Sequence, residues 1–243
     1  MEQVKGSKKE LEGGDGVFFD AIAERYDLLN RILSLGLDHR WRRRTVEALQ
    51  LKEGSRILDL ATGTADLAIA AAKTRDDISV TGVDPSVEML AIGRQKVNEE
   101  GITDRVNLLE GDGQNLQLGD DEFDGAAVCF GIRNFPDRLQ GLKEMARVTR
   151  NGAPVVILEL SEPRKGPMAA MSRLYVRQIV PRVGSLLSGQ KEYRYLQESI
   201  AAFPPAEDFL ALMVEAGLKD VSVEPLTFGV VNRFVGYSDT PNS

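Results

Sequence analysis

Three stretches of this 243-residue chain end an apolar run on an acid beside glycine or small residues. They are LDLATGTAD (58–66), GVDPS (82–86) and GDGQNL (111–116). In an open parallel sheet, ligands sit beyond the carboxyl ends of the strands. Gly63 lets the backbone approach such a ligand closely, and its small neighbours leave space. Asp84, about twenty residues beyond the turn, can accept two hydrogen bonds from a ribose diol. Asp112 can pair with an adenine amino group while the backbone of Gly113 approaches the ring. No lysine completes a phosphate-binding loop, and GTAD does not extend to the GxGxxG of a dinucleotide fold. Acidic walls without a phosphate cradle suit an adenosine that carries a positive sulfonium, which is S-adenosylmethionine. Plainer roles stay open at this point: an ordinary turn at 61–65, an N-cap at Asp84 and a simple loop at Asp112.

The elements that must position these residues alternate. SRILDLA (55–61), ISVTGVD (78–84), RVNLLEGD (105–112), FDGAAVCFGI (123–132) and APVVILEL (153–160) read as strands. DLAIAAAK (66–73), PSVEMLAIGRQKVNEE (85–100) and RLQGLKEMARVT (138–149) read as helices, the last ended by Asn151-Gly152. This predicts an α/β protein with a mostly parallel, seven-stranded Rossmann-like sheet, helices on both faces and a C-terminal β-hairpin from VSVEPL (221–226) and VVNRFVGY (230–237). Residues 17–51 read as helices interrupted at Gly36. Residues 1–16 read as a mobile tail, and 17–243 as a single domain with a helical cap at 162–203.

Hydrophobic residues make up 42% of the chain and charged ones 28%, ordinary for a globular protein. A net charge of −7 argues against a nucleic-acid binder. One cysteine and one histidine exclude a disulfide within the chain and the usual zinc set. The single cysteine fits a reducing cytosol. The first residues do not read as a signal peptide, and no apolar run approaches the roughly 20 residues of a membrane span. The expectation is a cytoplasmic protein, soluble or peripheral to the membrane.

Three further stretches carry a resemblance. YDLLNRILSLGLDHRW (26–41), FGIRN (130–134) and RVTRNGAPVVILELSEP (147–163) occur in the order found in the ubiquinone/menaquinone biosynthesis C-methyltransferase family, of UbiE/MenG type. The chain resembles this family of class I S-adenosylmethionine-dependent methyltransferases from about residue 17 onward. Tyr26, Asp27, Asn30, Ser34 and Trp41 fit the first signature; Arg147, Val148, Gly152, Glu159 and Ser161 fit the second. Leu29 stands where methionine is usual, Asp38 where histidine is, and Ala65 where the glycine turn has its last glycine. Arg150, Asn151 and Ala153 replace Lys, Pro and Gly.

The resemblance implies methyl transfer to a ring carbon of a reduced polyprenyl quinone, demethylmenaquinol before demethoxyubiquinol. It maps Thr64, Asp84, Asp112, Gly113 and Cys129 onto cofactor-binding positions, beside Gly63. Arg133 and Asn134 are expected to face the ring and stabilise its oxyanion; a loop that merely closes the strand is the plainer alternative. Tyr26 and Asp27 are expected to line the substrate mouth, although Tyr26 could equally be core. His39, among four arginines, reads as a surface residue. Seven basic residues stand against one acid between Arg164 and Arg194. With Met168, Leu174, Tyr175 and Ile179 among them, they suggest a cap that meets an anionic membrane and admits a lipid tail. A methyltransferase for another small phenolic or lipid substrate, or a non-catalytic adenosylmethionine-binding module, remains the alternative. A homodimer is left open.

Overall fold

The computed structural model describes residues 19–161 and 190–239. Helix α1 (Ala23–Leu33) and helix α2 (Asp38–Ala48) precede the sheet, separated by Gly36 at a positive φ of 77°. Strand β1 (Arg56–Leu60) leads through the glycine turn into α3 (Asp66–Ala72), then β2 (Ser79–Asp84), α4 (Val87–Glu99) and β3 (Val106–Glu110). Strand β4 (Gly125–Cys129), a single 3₁₀ turn at Ile132–Asn134, α5 (Arg138–Val148) and β5 (Pro154–Leu160) follow. The chain continues with α6 (Gln190–Ala201), α7 (Ala206–Glu215) and the hairpin of β6 (Leu218–Leu226) and β7 (Val231–Ser238). The tail at 1–16 and most of the 162–203 cap lie outside the described residues.

The seven strands run in the order β3-β2-β1-β4-β5-β7-β6, parallel except where β7 lies antiparallel to β5 and β6. The reversal of strand order beside β1 is the topological switch point, so a crevice opens there at the carboxyl edge. Strands β1, β4 and β5 are covered on both faces, which explains their nearly continuous apolar runs, interrupted by Asp59 and Glu159. Leu142, Met145, Phe209, Met213 and Phe234 fill one layer; Val46, Leu49, Leu67, Ala68, Leu90 and Val97 fill the other. In the first layer the rings of Phe203, Phe209 and Phe234 meet, the closest pair 4.7 Å apart between centroids.

Most element boundaries differ from the sequence expectation by one to three residues, β4 ending at Cys129 with Ile132 already in the 3₁₀ turn, and three of the shifts have a clear local reason. Pro85 stays outside α4, and Ser86 caps that helix by accepting from the Met89 amide at 3.1 Å. Helix α5 ends at Val148, with Thr149 extended, before Asn151 and Gly152, which turn the chain into β5. Strand β6 begins at Leu218, ahead of the expected Val221. An irregularity between Lys219 and Ser222, with Asp220 left-handed at φ 48°, hides its alternation. No helix among the described residues is long and apolar enough to cross a membrane.

Candidate active site

The carboxyl edge around β1 is built from strained backbone. Ala61, Gly63, Ala65 and Phe130 all adopt positive φ, at 53°, 54°, 65° and 60°. Such conformations persist where surrounding structure over-determines them, and they cluster at binding sites. Two buried acids hold the turn. Asp59 accepts from the Thr62 hydroxyl at 2.6 Å and from the Ala68 amide at 3.0 Å, so one of the free N–H groups opening α3 is already satisfied. Burial raises its carboxyl to about 7, against those two hydrogen bonds. Asp84 accepts from the Gly63 amide at 2.8 Å and from the Ser86 amide at 2.9 Å. Burial also raises the Asp84 carboxyl, while the same two amides oppose the shift.

Gly63 faces open space: a Cβ placed there would meet nothing within 4 Å. Gly113 is the opposite case, since its Cβ would fall 2.6 Å from Phe135, so the ring packs directly on the backbone. Asp112 is exposed and accepts from the Gln114 amide at 2.9 Å. Cys129 ends β4 beside β1, and burial raises its thiol, which leaves it protonated at neutral pH. Gly63, Thr64, Asp84, Asp112, Gly113 and Cys129 thus all sit at one edge of the sheet.

Helix α1 and the residues just before it cover that edge. Asp20 accepts from the Ser86 hydroxyl at 2.6 Å and from the Glu88 amide at 3.1 Å. Asp27 accepts from the Thr64 hydroxyl at 2.6 Å and from Lys96 at 2.9 Å. On another side of the same stretch, Phe19 meets Tyr26 and Tyr195 edge-on, at 6.2 and 6.5 Å between centroids. The Tyr195 hydroxyl donates to the Asn134 side-chain oxygen at 2.8 Å. Burial of the Tyr26 phenol raises its pKa, and the nearby cations of Arg133 and Arg42 oppose this.

Arg133 is buried, its side chain 6% exposed. Its guanidinium pairs with Glu159 at 2.9 Å and also reaches the Phe130 carbonyl, while its amide donates to the other Glu159 oxygen at 3.1 Å. Its Nε, and the Asn30 Nδ2, have no partner among the described residues. The structure therefore brings Tyr26, Asn30, Arg133, Asn134 and Tyr195 under one cover beside Asp84. His39 lies outside this group and is exposed.

Several residues that shape the site were not among the expected ones. Asp59 and Glu159 are acids inside otherwise apolar strands, and that contrast is a readable signal. Asp20, Lys96 and Tyr195 reach the site from distant segments and carry no local signal.

The ubiE/COQ5 methyltransferase family pattern matches residues 5–238. The chain belongs to this family. It is 42% identical to the ubiquinone/menaquinone biosynthesis C-methyltransferase UbiE of Geotalea daltonii, over 90% of this chain and 93% of that one. It is 45% identical to the demethylmenaquinone methyltransferase of Thermus thermophilus, over 90% and 98%. Among solved structures, a SAM dependent methyltransferase from Aquifex aeolicus superposes with a TM-score of 0.65 at 18% identity, covering 90% of this chain and 98% of that one. The fold is that of the class I S-adenosylmethionine-dependent methyltransferases. Ala65, the residue of the turn where the sequence comparison expects glycine, adopts the left-handed φ a glycine would. Its Cβ fits because Gly93 of α4 lies against it.

Proposed function

We propose that this protein transfers a methyl group from S-adenosylmethionine to a ring carbon of a reduced polyprenyl quinone, converting demethylmenaquinol to menaquinol. The single observation that carries the reading is the extent of the likeness, 40–45% identity to relatives named for this step over about nine-tenths of the chain. The geometry of the covered crevice supports it.

The residues present fit the cofactor. The open side of Gly63 admits a ligand against the turn, and Asp84 and Asp112 supply acidic walls that favour a sulfonium. We assign Asp84 to the ribose diol, Asp112 and Gly113 to the adenine edge, Gly63 and Thr64 to the remainder, and Cys129 to a backbone or edge contact. When bound, S-adenosylmethionine supplies an electrophilic methyl on a positively charged sulfur.

The protein's own residues prepare the acceptor. The ring carbon becomes nucleophilic as a neighbouring hydroxyl loses its proton, so the site must stabilise an oxyanion. Arg133 and Asn134 are assigned to that task. Arg133 stays charged at every relevant pH and serves as a donor, not a base. Its Nε and the Asn30 Nδ2 are buried donors without a hydrogen-bond partner among the described residues. Glu159 and the Phe130 carbonyl fix the plane of the guanidinium. Tyr26 and Asp27, on the covering helix, bound the substrate mouth, and Phe19 and Tyr195 extend its aromatic wall. Excluding water there strengthens each of these contacts.

The polyprenyl tail brings the substrate from a lipid phase. The basic and apolar segment 164–194, almost all outside the described residues, is assigned to meeting an anionic surface; liposome binding at low salt checks this.

The deciding experiment is methyl transfer from labelled S-adenosylmethionine to chemically reduced demethylmenaquinone with a short prenyl tail, with a demethoxybenzoquinol run alongside. Label in the naphthoquinol ring establishes the reaction. Cofactor binding without label in either ring overturns the quinone assignment.

A further inference from the structure

Lys96 belongs to none of the stretches that carry the resemblance, yet it stands at the centre of the contacts that close the crevice. Gly93, one turn earlier on α4, has space for no ordinary side chain: its Cβ would fall 3.0 Å from Leu108, 3.2 Å from Ala65 and 3.3 Å from the Thr64 backbone. That close approach lays α4 on the glycine turn and delivers the Lys96 ammonium to three partners. It donates to Asp27 of α1 at 2.9 Å, to the Thr64 hydroxyl at 3.3 Å and to Asp66, the first residue of α3. Thr64 in turn donates to Asp27 at 2.6 Å. Two carboxylates from different helices thus converge on one cation, and only about a quarter of the Lys96 side chain is exposed.

We infer that Lys96 is a positioning residue, the pin of an electrostatic latch that holds helix α1 closed over the cofactor turn. The inference rests on the proposed function for the identity of the ligand, but the latch itself is a property of the ligand-free chain. Without the ammonium, Asp66 still has Arg42 at 3.4 Å, but Asp27 keeps only the Thr64 hydroxyl among the described contacts, so the charged tie from α1 to α3 is lost. A second tie, Asp20 on the N-terminus of α4, sits seven residues before Asp27. Asp20 lies just before α1 and Asp27 within it, so the covering segment is held at two points. Opening must break the Asp27 tie before a ligand can pass Thr64, so the latch sets the rate at which the demethylated product, S-adenosylhomocysteine, leaves.

The test compares the wild-type chain with Lys96→Met and Lys96→Arg in two measurements. One is amide hydrogen exchange across residues 23–33 without any ligand; the other is S-adenosylhomocysteine dissociation followed by stopped flow. Lys96→Met is expected to speed both about tenfold, the effect of losing one partly buried ion pair of about 1.4 kcal/mol. Lys96→Arg, which keeps the charge, is expected to restore most of the wild-type behaviour. Unchanged exchange in α1, or faster exchange spread equally through β1 and α3, overturns the latch and leaves Lys96 a general stabiliser. Wild-type protein that binds neither S-adenosylmethionine nor its product overturns the proposed function instead, and the ligand-free exchange still decides the latch.

Discussion

Glu159 and Arg133 form a buried ion pair at the carboxyl ends of β4 and β5, with 2.9 Å between guanidinium and carboxylate and the second carboxylate oxygen on the Arg133 amide at 3.1 Å. The Glu159 side chain is fully buried and that of Arg133 is 6% exposed, so neither charge has water to replace its partner. Removing one partner of such a pair costs about 3–5 kcal/mol, because the other charge is left uncompensated. Glu159→Ala is therefore expected to lose about that much stability in urea unfolding. Arg133→Met in the Glu159→Ala background is expected to recover part of the loss.

At Asp84 the expected effect falls on ligand affinity. Its carboxylate holds the Gly63 and Ser86 amides and stands where an acid is assigned to the ribose diol. Asp84→Asn keeps the shape and removes the charge, and because its amide nitrogen must face the Gly63 or the Ser86 amide it also loses one of those two bonds. Hydrogen bonds to a charged group contribute about 1.5–3 kcal/mol, so S-adenosylmethionine affinity should fall about 10- to 100-fold by calorimetry. A smaller change than threefold would remove Asp84 from the ribose contact.

Gly63 separates folding from binding. A side chain there meets no protein atom within 4 Å but must adopt a φ of 54°. The left-handed conformation costs an ordinary residue about 1–2 kcal/mol. Gly63→Leu, whose side chain is not β-branched, should therefore still fold, with a modest loss in melting temperature. Its side chain would occupy the open face of the turn, so binding of S-adenosylmethionine should be abolished. Retained binding would place the cofactor elsewhere.

The alternation of elements was legible because strands buried on both faces leave nearly continuous apolar runs between helical segments. The acid-ended strands were legible too, since Asp84 and Asp112 are local features of their own turns. What the sequence could not display is which distant segment closes each contact. Tyr195 meets Asn134 from α6, Asp20 reaches the start of α4, and Lys96 bridges α1 and α3. Those pairings follow from packing, which a single sequence does not encode as a pattern. Arg133 shows the same boundary from the other side. Its place in FGIRN was legible as part of the loop that follows β4, but its burial against Glu159 depends on β4 and β5 lying side by side.

Tyr195 offers a test of the aromatic cover that spares the cofactor turn. Its hydroxyl donates to Asn134, and its ring meets Phe19. Tyr195→Phe keeps the ring and frees the Asn134 oxygen. The expected result is a quinol KM raised about three- to tenfold, the loss of one hydrogen bond, with S-adenosylmethionine affinity unchanged. Equal losses in both would mean that Tyr195 supports the fold of the crevice as a whole.

Asp59 gives the turn a pH dependence whose sign is set by its burial. Its folded carboxyl titrates at about 7, against 3.8 for an ordinary aspartate, so the folded chain holds a proton that the unfolded chain releases. Stability from this group is fully present below about pH 4, falls as pH rises toward 7 and is level above that. Asp59→Asn keeps an oxygen to accept from Thr62 and Ala68 but cannot ionise. Groups elsewhere, such as Asp38 held low by Ser34 and Arg42 despite its burial, shift wild type and variant alike and cancel in the difference. The stability of the variant relative to wild type should therefore increase between pH 4 and 7 and then stay constant. Urea midpoints for the two proteins across that range measure it directly. A difference that does not vary with pH would mean that Asp59 is ionised throughout and that Arg42, the nearby cation, outweighs the cost of burial.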